Sequence, residues 1–545
     1  MTKLLWLIVS SILVIGMILA GCSQPAPSSA PATSPSTVPA PTSASAPTSA
    51  TATKPATTTT QAPGGPVRGG TLKVVTSAYF PTILGYPPEM GPGDQVGTIL
   101  MEERLLRFGK GGWEPELIES YDEDPVNKTI TWHLQKGVTY HDGTPVDAES
   151  IRWNMQLLID TKRMADLPLF DRMEVIDQYT LKMYLKDFTS SVTFNYGFNP
   201  MLSPTAIQKN GKEWARTNPV ATGPFKLAEF QRDVVLKVVK NPNYWQKDKP
   251  YLDAIEYRLI PDAVVASAMM QAGDADMWTG APLNNALQLE KLGFKLTWGP
   301  GYASALMFNS ADPNSKYANK KVREAIEYAI DRPAMAKLLT QGAATPLTQW
   351  AIQGLPGYVD GFNPRTYDVN KAKQLLTEAG FPNGFQTELL IQDSQTARDF
   401  GAVVQGYLAK VGITVRLDIA DRGRFAAETM KLGWKELASG GVGVNPDWLS
   451  GLLGGWGPSP YVYQTISQYK SPEWLALCNK AMKTYDKTER LKVIQEMVKQ
   501  ASNDVMLVPL YVTPQPSVMR SYVHSTAFSI HIGRWDSFND WMEKH

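Results

Sequence analysis

The stretch "TYHDGTPVDAESIRWNM", residues 139–155, places a histidine beside an aspartate and then leads into a polar helix start. Just upstream, "TITWHLQKGV" alternates Ile130, Trp132 and Leu134 with polar residues, and this period of two predicts a half-buried strand. Lys136-Gly137 predicts a turn, after which residues 138–141 are expected to return as a second short strand. The question is whether His141-Asp142 is a catalytic or metal site, or a piece of scaffold.

The residues that follow favour scaffold. Asp147 stands where a helix N-cap is needed, before Ile151, Met155 and Leu158 at helical spacing. His141-Asp142 therefore falls at a strand-to-turn corner, where an aspartate usually accepts hydrogen bonds from nearby backbone N–H groups. We expect a structural corner and no catalytic dyad.

The N-terminus predicts an exported protein. Leu4 to Ala20 is a 17-residue run without a charge, which is short for a membrane span and typical of a secretory signal. The run leads into Leu19-Ala20-Gly21-Cys22, which resembles a bacterial lipoprotein signal cut before a lipidated Cys22. The alternative is an uncleaved N-terminal anchor helix. Both place the rest of the chain outside the cytoplasm, tethered to a membrane, and we assign 1–22 to the signal peptide.

Residues 23–67 predict a disordered linker. Of these 45 residues, 38 are Ala, Pro, Ser or Thr, and the only charged one is Lys54. Such a segment has too little apolar surface to offset the entropy of ordering. It would act as a stalk between the lipid and the folded part of the chain.

The remaining residues, 68–545, have the composition of globular domains. Lys plus Arg is 53 against 52 for Asp plus Glu, so no overall field attracts nucleic acid, and none is expected as a partner. The second cysteine, Cys478, lies on the apolar stripe of a predicted helix with Leu475 and Met482, and the same helix carries Trp474. We expect an inert buried thiol and a core tryptophan.

Motifs of catalysis and metal binding are missing from the sequence. The five histidines form no H-E-x-x-H pair, and neither C-x-x-C, G-x-S-x-G nor a phosphate-binding G-x-x-x-x-G-K-[ST] occurs. The glycine cluster at 439–457 has no G-x-G-x-x-G spacing and no evident strand–turn–helix context. We therefore expect a protein that is not an enzyme, with no metal and no cofactor.

Helices and strands alternate in the second half of the sequence. The stretch "NKKVREAIEYAIDRPAMAKLL" places Val322, Ala325, Ile326 and Ala329 on one helical face. "VNKAKQLLTEAG" predicts a helix that ends at Gly380, and "GITVRLDIA" predicts a strand directly after another helix. This alternation indicates α/β lobes.

Seven segments in order resemble the family 5 extracellular solute-binding proteins of peptide/nickel-type ABC importers. They are "HLQKGVTYHDGTPVDAESI" (133–151), "PVATGPFKLAEF" (219–230), "NPNYW" (241–245), "IPDAVVASAMMQAGDADM" (260–277), "MFNS" (307–310) with "VREAIEYAIDR" (322–332), "DVNKAKQLLTEAGF" (368–381) and "LAKVGITVRL" (408–417). Ala221 stands where the family has a glycine, and Phe225 where it has a tyrosine. The resemblance covers essentially all of 68–545.

The resemblance implies an α/β fold, a two-lobed periplasmic-binding-protein clamshell of type II with an extra N-terminal subdomain. Lobe one would comprise 68–107, 210–303 and 508–545, the subdomain 108–209, and lobe two 304–507. The chain would be a monomer that captures a solute outside the cell and delivers it to an ABC transporter permease. Because a ligand that contacts both lobes binds the closed form better, it would shift the population toward closure.

The resemblance also places the ligand site. Residues expected to line the cleft, within a residue or two, are Tyr79, Phe80, Tyr302, Trp350, Gly440, Gly441, Val442, Trp448, Trp456 and Tyr511. Glycine would allow close approach of backbone to ligand, and the indoles would offer stacking faces. For each tryptophan, ordinary packing is the alternative.

The ligand expected from the sequence is not a simple peptide. Peptide-binding relatives commonly carry an aspartate that pairs with the peptide's α-ammonium, and alignment places Val442 there. A buried ammonium without a carboxylate costs several kcal/mol. An oligosaccharide or another neutral polar solute is therefore favoured, with an oligopeptide or dipeptide as the alternative. A nickel ligand is disfavoured because no histidine lies between 142 and 523. A surface receptor that signals and a secreted hydrolase remain as rival classes.

Overall fold

The computed structural model describes residues 65–77, 80–90, 94–109, 112–162, 167–189, 191–443, 448–458, 466–528 and 534–544. The predicted signal peptide, Cys22 and nearly all of the predicted linker lie outside these ranges. Within them, no helix is long and apolar enough to cross a membrane. They belong to one compact unit, Pro63–His545.

Strands and helices alternate mainly between β10 and α13. The strands are β1 Thr71–Thr76, β2 Leu106–Gly109, β3 Gly112–Pro115, β4 Ile118–Asp124, β5 Thr129–Leu134, β6 Phe170–Asp177, β7 Thr180–Leu185, β8 Phe225–Gln231, β9 Val235–Lys240, β10 Ala254–Leu259, β11 Met277–Thr279, β12 Lys295–Phe308, β13 Thr345–Pro346, β14 Gln386–Gln392, β15 Thr414–Ala420, β16 Leu437–Gly443, β17 Leu507–Met519, β18 Val523–His524 and β19 Trp541–Met542. The helices are α1 Gln95–Thr98, α2 Ala148–Asp160, α3 Val192–Gly197, α4 Pro204–Asn210, α5 Lys212–Ala215, α6 Ala263–Ala272, α7 Leu283–Lys291, α8 Lys320–Ala329, α9 Arg332–Thr340, α10 Val369–Glu378, α11 Gln395–Ala409, α12 Arg422–Ala427, α13 Trp448–Trp456, α14 Pro472–Lys483 and α15 Lys487–Asp504.

One large sheet runs through the described residues in the order β15-β14-β16-β12-β17-β11-β1-β10-β9-β8, with β13 on β17. The long antiparallel pair β12 and β17 connects its two halves, because one end of the pair lies beside β16 and the other beside β11. A separate sheet has the order β4-β5-β7-β6.

Each half of the large sheet has its own hydrophobic cores. Around β14 and β16, Leu306 and Phe308 of β12 face a core that contains α8–α11, while Ala305 and Met307 face one that contains α13–α15. Around β1 and β10, two further cores include β8–β11 and the helices α6 and α7. The period of two along β12 thus directs alternate side chains into opposite cores.

The small sheet confirms most of the opening prediction. Trp132 of β5 is fully buried with Ile130 and Leu134, and Ile151 and Met155 of α2 pack in the same core. Asp147 caps α2 by accepting from the Ser150 N–H at 2.8 Å, as its position predicts. The predicted strand over 138–141 was wrong. Tyr140 N–H instead donates to the Thr144 carbonyl, which closes a turn, and Thr139 forms one isolated bridge with Pro145.

Other local predictions are confirmed as well. The stripe of Val322, Ala325, Ile326 and Ala329 is buried on α8. Gly380 follows the end of α10 with φ +91°, a conformation that L side chains rarely adopt. Cys478 is fully buried on α14, and burial raises the pKa of its thiol to about 12. The lobe boundaries drawn from the resemblance remain a prediction.

Candidate functional site

Three neighbouring strands bring together half of the expected ligand residues. The register places Gly441 of β16 beside Ser304 of β12, and Ser304 beside Tyr511 of β17. The next row along contains Val442, Ala303 and Val512. Residues about 200 positions apart in the sequence therefore lie side by side on one patch of sheet. We call its first row, Gly441–Ser304–Tyr511, the central row.

An irregularity in β12 borders the central row. The register between β12 and β17 shifts between Gly299 and Tyr302. A Cβ atom on Gly301 would lie 1.6 Å from the Thr513 carbonyl oxygen, so only glycine fits this close approach. The bulge lies where the two long strands pass from one half of the sheet to the other.

The hydroxyl groups of the central row are neutral. Tyr511 is 5 % exposed, and this desolvation raises the pKa of its hydroxyl, which is hydrogen-bonded to Ser304. Ser304 was missing from the residues expected from the sequence, and the pairing with Tyr511 across the strands brings it into the row. The row offers these hydroxyls and the edge of β16 beyond Ala438, where its pairing with β14 has ended, with no charge of its own.

Gly440 has a packing role. A Cβ atom there would lie 2.4 Å from Cε of Met307, so the glycine lets β16 pack closely onto the β12 side chain. Approach of a ligand to backbone, the role expected from the sequence, remains a prediction for Gly441 and Val442. A strand and a helix that sequence reasoning missed flank this part of the chain, since β16 ends at Gly443 and α13 begins at Trp448.

Trp350 and Trp456 are placed in the core. They are 5 % and 4 % exposed, and their rings meet edge to face at 4.7 Å. Trp350 also stacks on Trp474 at 5.6 Å, and Nε1 of Trp456 donates to Oε1 of Gln468 at 2.5 Å. These contacts are the packing alternative named above. Both rings pack in the core that Ala305 and Met307 face, whereas Tyr511 belongs to the core on the opposite face of the sheet, so neither ring enters the site proposed below.

The remaining expected residues are placed unevenly. Phe80 stacks at 6.0 Å on Tyr257 and at 6.3 Å on Phe230, against the core around β1. Tyr79 lies outside the described residues. For Tyr302 and Trp448 the structure describes the backbone, at β12 and at the first residue of α13.

His141 and Asp142 are confirmed as scaffold. Nε2 of His141 donates to the Gly223 carbonyl at 3.0 Å, and Nδ1 accepts from the Ala221 N–H at 3.4 Å. Burial, with a smaller contribution from the nearby Lys226 ammonium, lowers the pKa of this histidine to about 4. Asp142 accepts from Ser203 at 2.6 Å and from the Thr144 hydroxyl at 2.6 Å. The two side chains thus serve separate partners.

A second group of perturbed carboxyls lies elsewhere. Burial, and then the neighbouring Glu116 carboxylate, raises the pKa of Glu103 to about 8 although Tyr244 and Trp245 donate to it. Perturbed acids often mark functional sites. The cavity beside Glu103 and Glu116 measures about 30 Å³, which has room for a water molecule and not for a solute. No group of three or more His, Cys, Asp or Glu that could hold a metal occurs among the described residues.

Comparisons with known proteins agree on the type of molecule. The model of the bacterial extracellular solute-binding proteins, family 5, matches residues 112–461. The glutathione-binding protein GsiB of Shigella flexneri is 33% identical over 412 residues, which cover 72% of this chain and 80% of that protein.

Solved structures agree with the fold. DppA from Helicobacter pylori, an ABC transporter-associated periplasmic binding protein in complex with the peptide STSA, has a TM-score of 0.75 at 27% identity, covering 88% of this chain and 99% of that one. AgaA from A. tumefaciens R10, in complex with agropinic acid, has a TM-score of 0.74 at 26% identity, covering 87% and 99%. The predicted two-lobed α/β clamshell is confirmed.

Proposed function

Because this chain belongs to the bacterial extracellular solute-binding proteins of family 5, we propose that it binds a peptide or peptide-like solute and delivers it to an ABC-type permease. The observation that carries the proposal is the central row, Gly441–Ser304–Tyr511, beside the bulge at Gly301. A solute held there would contact strands that pass between the two halves of the large sheet. Binding of the solute would therefore favour closure of the two lobes.

The chemistry of the central row suits the amide groups of a peptide. Ser304 and Tyr511 offer neutral hydroxyls, and an extended ligand can also pair with the β16 backbone beyond Ala438, where its pairing with β14 has ended. Val442 still supplies no carboxylate for an α-ammonium, so we propose that this end of the ligand is blocked, side-chain linked or held by another acid. The oligosaccharide favoured by the sequence is not supported by the relatives named above, whereas the peptide alternative is.

Two of the relatives named above give a size range to test first. Glutathione is a tripeptide, and the peptide STSA is a tetrapeptide. We therefore propose a solute of about two to five residues as the first class to test. We also propose that Cys22 carries a lipid, so that the solute is captured at the membrane where the permease lies.

Binding is tested with the full chain carrying Cys22→Ser, which stays free of lipid. Bound solute is removed by partial unfolding and identified by mass spectrometry. Melting is then followed with glutathione, STSA, N-acetyl-STSA and cellotetraose. A ligand at a hundred times its dissociation constant stabilises by ~2.7 kcal/mol. Stabilisation by cellotetraose with none by the peptides, or an oligosaccharide as the co-purifying solute, would reject the proposal.

The site is tested with a matched pair of variants. Tyr511→Phe removes a hydroxyl from the central row, and Tyr317→Phe removes a buried hydroxyl from the same core, where it bonds to Thr387 at 2.5 Å. We expect only Tyr511→Phe to weaken the solute, by about 1 kcal/mol or roughly fivefold, the value of one hydrogen bond. Equal affinities of both variants in calorimetric titration would remove Tyr511 from the site.

A further inference from the structure

The segment between β7 and α3 presents two hydrogen-bond acceptors side by side. Oδ1 of Asp187 accepts the Phe188 N–H at 2.9 Å, which fixes the carboxylate next to the Phe188 carbonyl. The Phe188 ring is 1 % exposed in the core of the small sheet. Both acceptors are therefore held in place by buried structure.

The corner between α14 and α15 presents two matching donors. Lys483 is the last residue of α14, and Tyr485 lies just before α15. The Thr484 hydroxyl donates to the Lys480 carbonyl at 2.7 Å, and Arg490 donates to the Tyr485 carbonyl at 3.3 Å. These bonds fix the corner, whose helices belong to the core around α13–α15 and not to that of the small sheet.

Donors and acceptors meet across the two cores. The Lys483 ammonium pairs with the Asp187 carboxylate and donates to the Phe188 carbonyl at 3.1 Å. The Tyr485 hydroxyl donates to the same carbonyl at 3.1 Å, and its ring meets that of Phe188 edge to face at 5.5 Å. The contact with Lys483 lowers the pKa of the Asp187 carboxyl, as an ion pair should. The contact involves these few side chains at the margin of each core.

We propose that Asp187, Phe188, Lys483 and Tyr485 form an interlobe clasp, which favours the closed arrangement of the molecule before any solute binds. A clasp of partly exposed groups is weak enough to open and strong enough to change the ratio of open to closed molecules. Its effect on solute affinity rests on the proposed function, because a larger closed fraction raises the apparent affinity of a solute that binds the closed form.

The clasp is tested without solute. In the full chain carrying Cys22→Ser, spin labels are attached to Val175→Cys on β6 and Leu338→Cys on α9, two exposed positions outside the clasp. Cys478 is buried and should stay unlabelled. Double electron–electron resonance then gives the distribution of distances between the two labels for the parent, Lys483→Ala, Tyr485→Phe and Lys483→Arg. Lys480→Ala is the matched control, since Lys480 pairs with Glu496 on α15, within the same core.

We expect Lys483→Ala and Tyr485→Phe to increase the fraction of long distances at least twofold, and Lys483→Arg and Lys480→Ala to retain the parent distribution. Because salt screens exposed ion pairs, 0.5 M NaCl should shift the parent toward Lys483→Ala. Titration with glutathione and STSA should show a weaker apparent affinity in Lys483→Ala, in proportion to its loss of the closed fraction. Unchanged distances in Lys483→Ala and Tyr485→Phe would overturn the clasp, whatever the probes do. Longer distances without binding of any probe would support the clasp and count against the proposed function.

Discussion

Replacement of His141 by alanine should destabilise the protein at neutral pH and lose that effect in acid. The imidazole uses both nitrogens, donating from Nε2 to Gly223 and accepting at Nδ1 from Ala221. The Gly223 carbonyl keeps a second donor, Asn241 at 3.2 Å, so the loss at pH 7 should be about 1–2 kcal/mol. Ligand affinity per folded molecule should not change, because the corner lies outside the central row.

The pH dependence has a definite sign. Burial lowers the pKa of His141 to about 4, whereas the unfolded chain should titrate near 6.5. Below that value the unfolded state takes up a proton that the folded state refuses, so the wild type loses stability as the pH falls toward 4. At pH 4.5 this loss is about 2 kcal/mol, which the alanine variant escapes. The variant should therefore match or slightly exceed the wild type there.

Urea unfolding at pH 7.0 and 4.5, followed by tryptophan fluorescence, measures both differences. The control is His133→Ala, which removes an exposed histidine paired with Asp122 at 2.8 Å and should change stability by less than ~1 kcal/mol. A His141→Ala deficit of the same size at both pH values would refute the argument. A tenfold loss of solute affinity, about 1.4 kcal/mol, would return His141 to the candidate site.

Gly301→Ala should destabilise the fold by more than ~3 kcal/mol or prevent folding, because its Cβ would lie 1.6 Å from the Thr513 carbonyl oxygen. The control Gly406→Ala on α11, with nothing within 4 Å of the added Cβ, should instead stabilise by ~0.5–1 kcal/mol. Similar melting of the two variants would contradict the bulge. The free energy of unfolding of Glu103→Gln should rise relative to that of the wild type by on the order of a few kcal/mol between pH 4.5 and pH 8. The reason is that the folded wild type holds a proton on Glu103 that the unfolded chain releases. A pH-independent difference in urea midpoint would mean that Glu103 ionises normally. An alkynyl fatty acid should label the wild type and not Cys22→Ser, and equal labelling of both would disprove the lipid anchor.

Features fixed by neighbours in the chain were readable from the sequence. The N-cap at Asp147, the helix end at Gly380 and the strand β15 follow from local periodicity and backbone preference. The scaffold role of His141-Asp142 followed in the same way, from its position before a capped helix. The same reasoning failed at 138–141, where a tight turn through Thr144 replaced the expected strand.

Residues whose role depends on distant partners could be assigned only from the tertiary structure. Trp350 is core because Trp456 of α13 and Trp474 of α14, more than 100 residues further along, pack against it. The sequence does not reveal this, since an indole serves packing and ligand stacking equally well. Ser304 belongs to the site because strand register places it between Gly441 and Tyr511. A register shift of one residue would turn its side chain to the opposite face of the sheet. Local sequence thus determined which elements form, while register and burial, which are set by long-range pairing, decided which side chains can meet a solute.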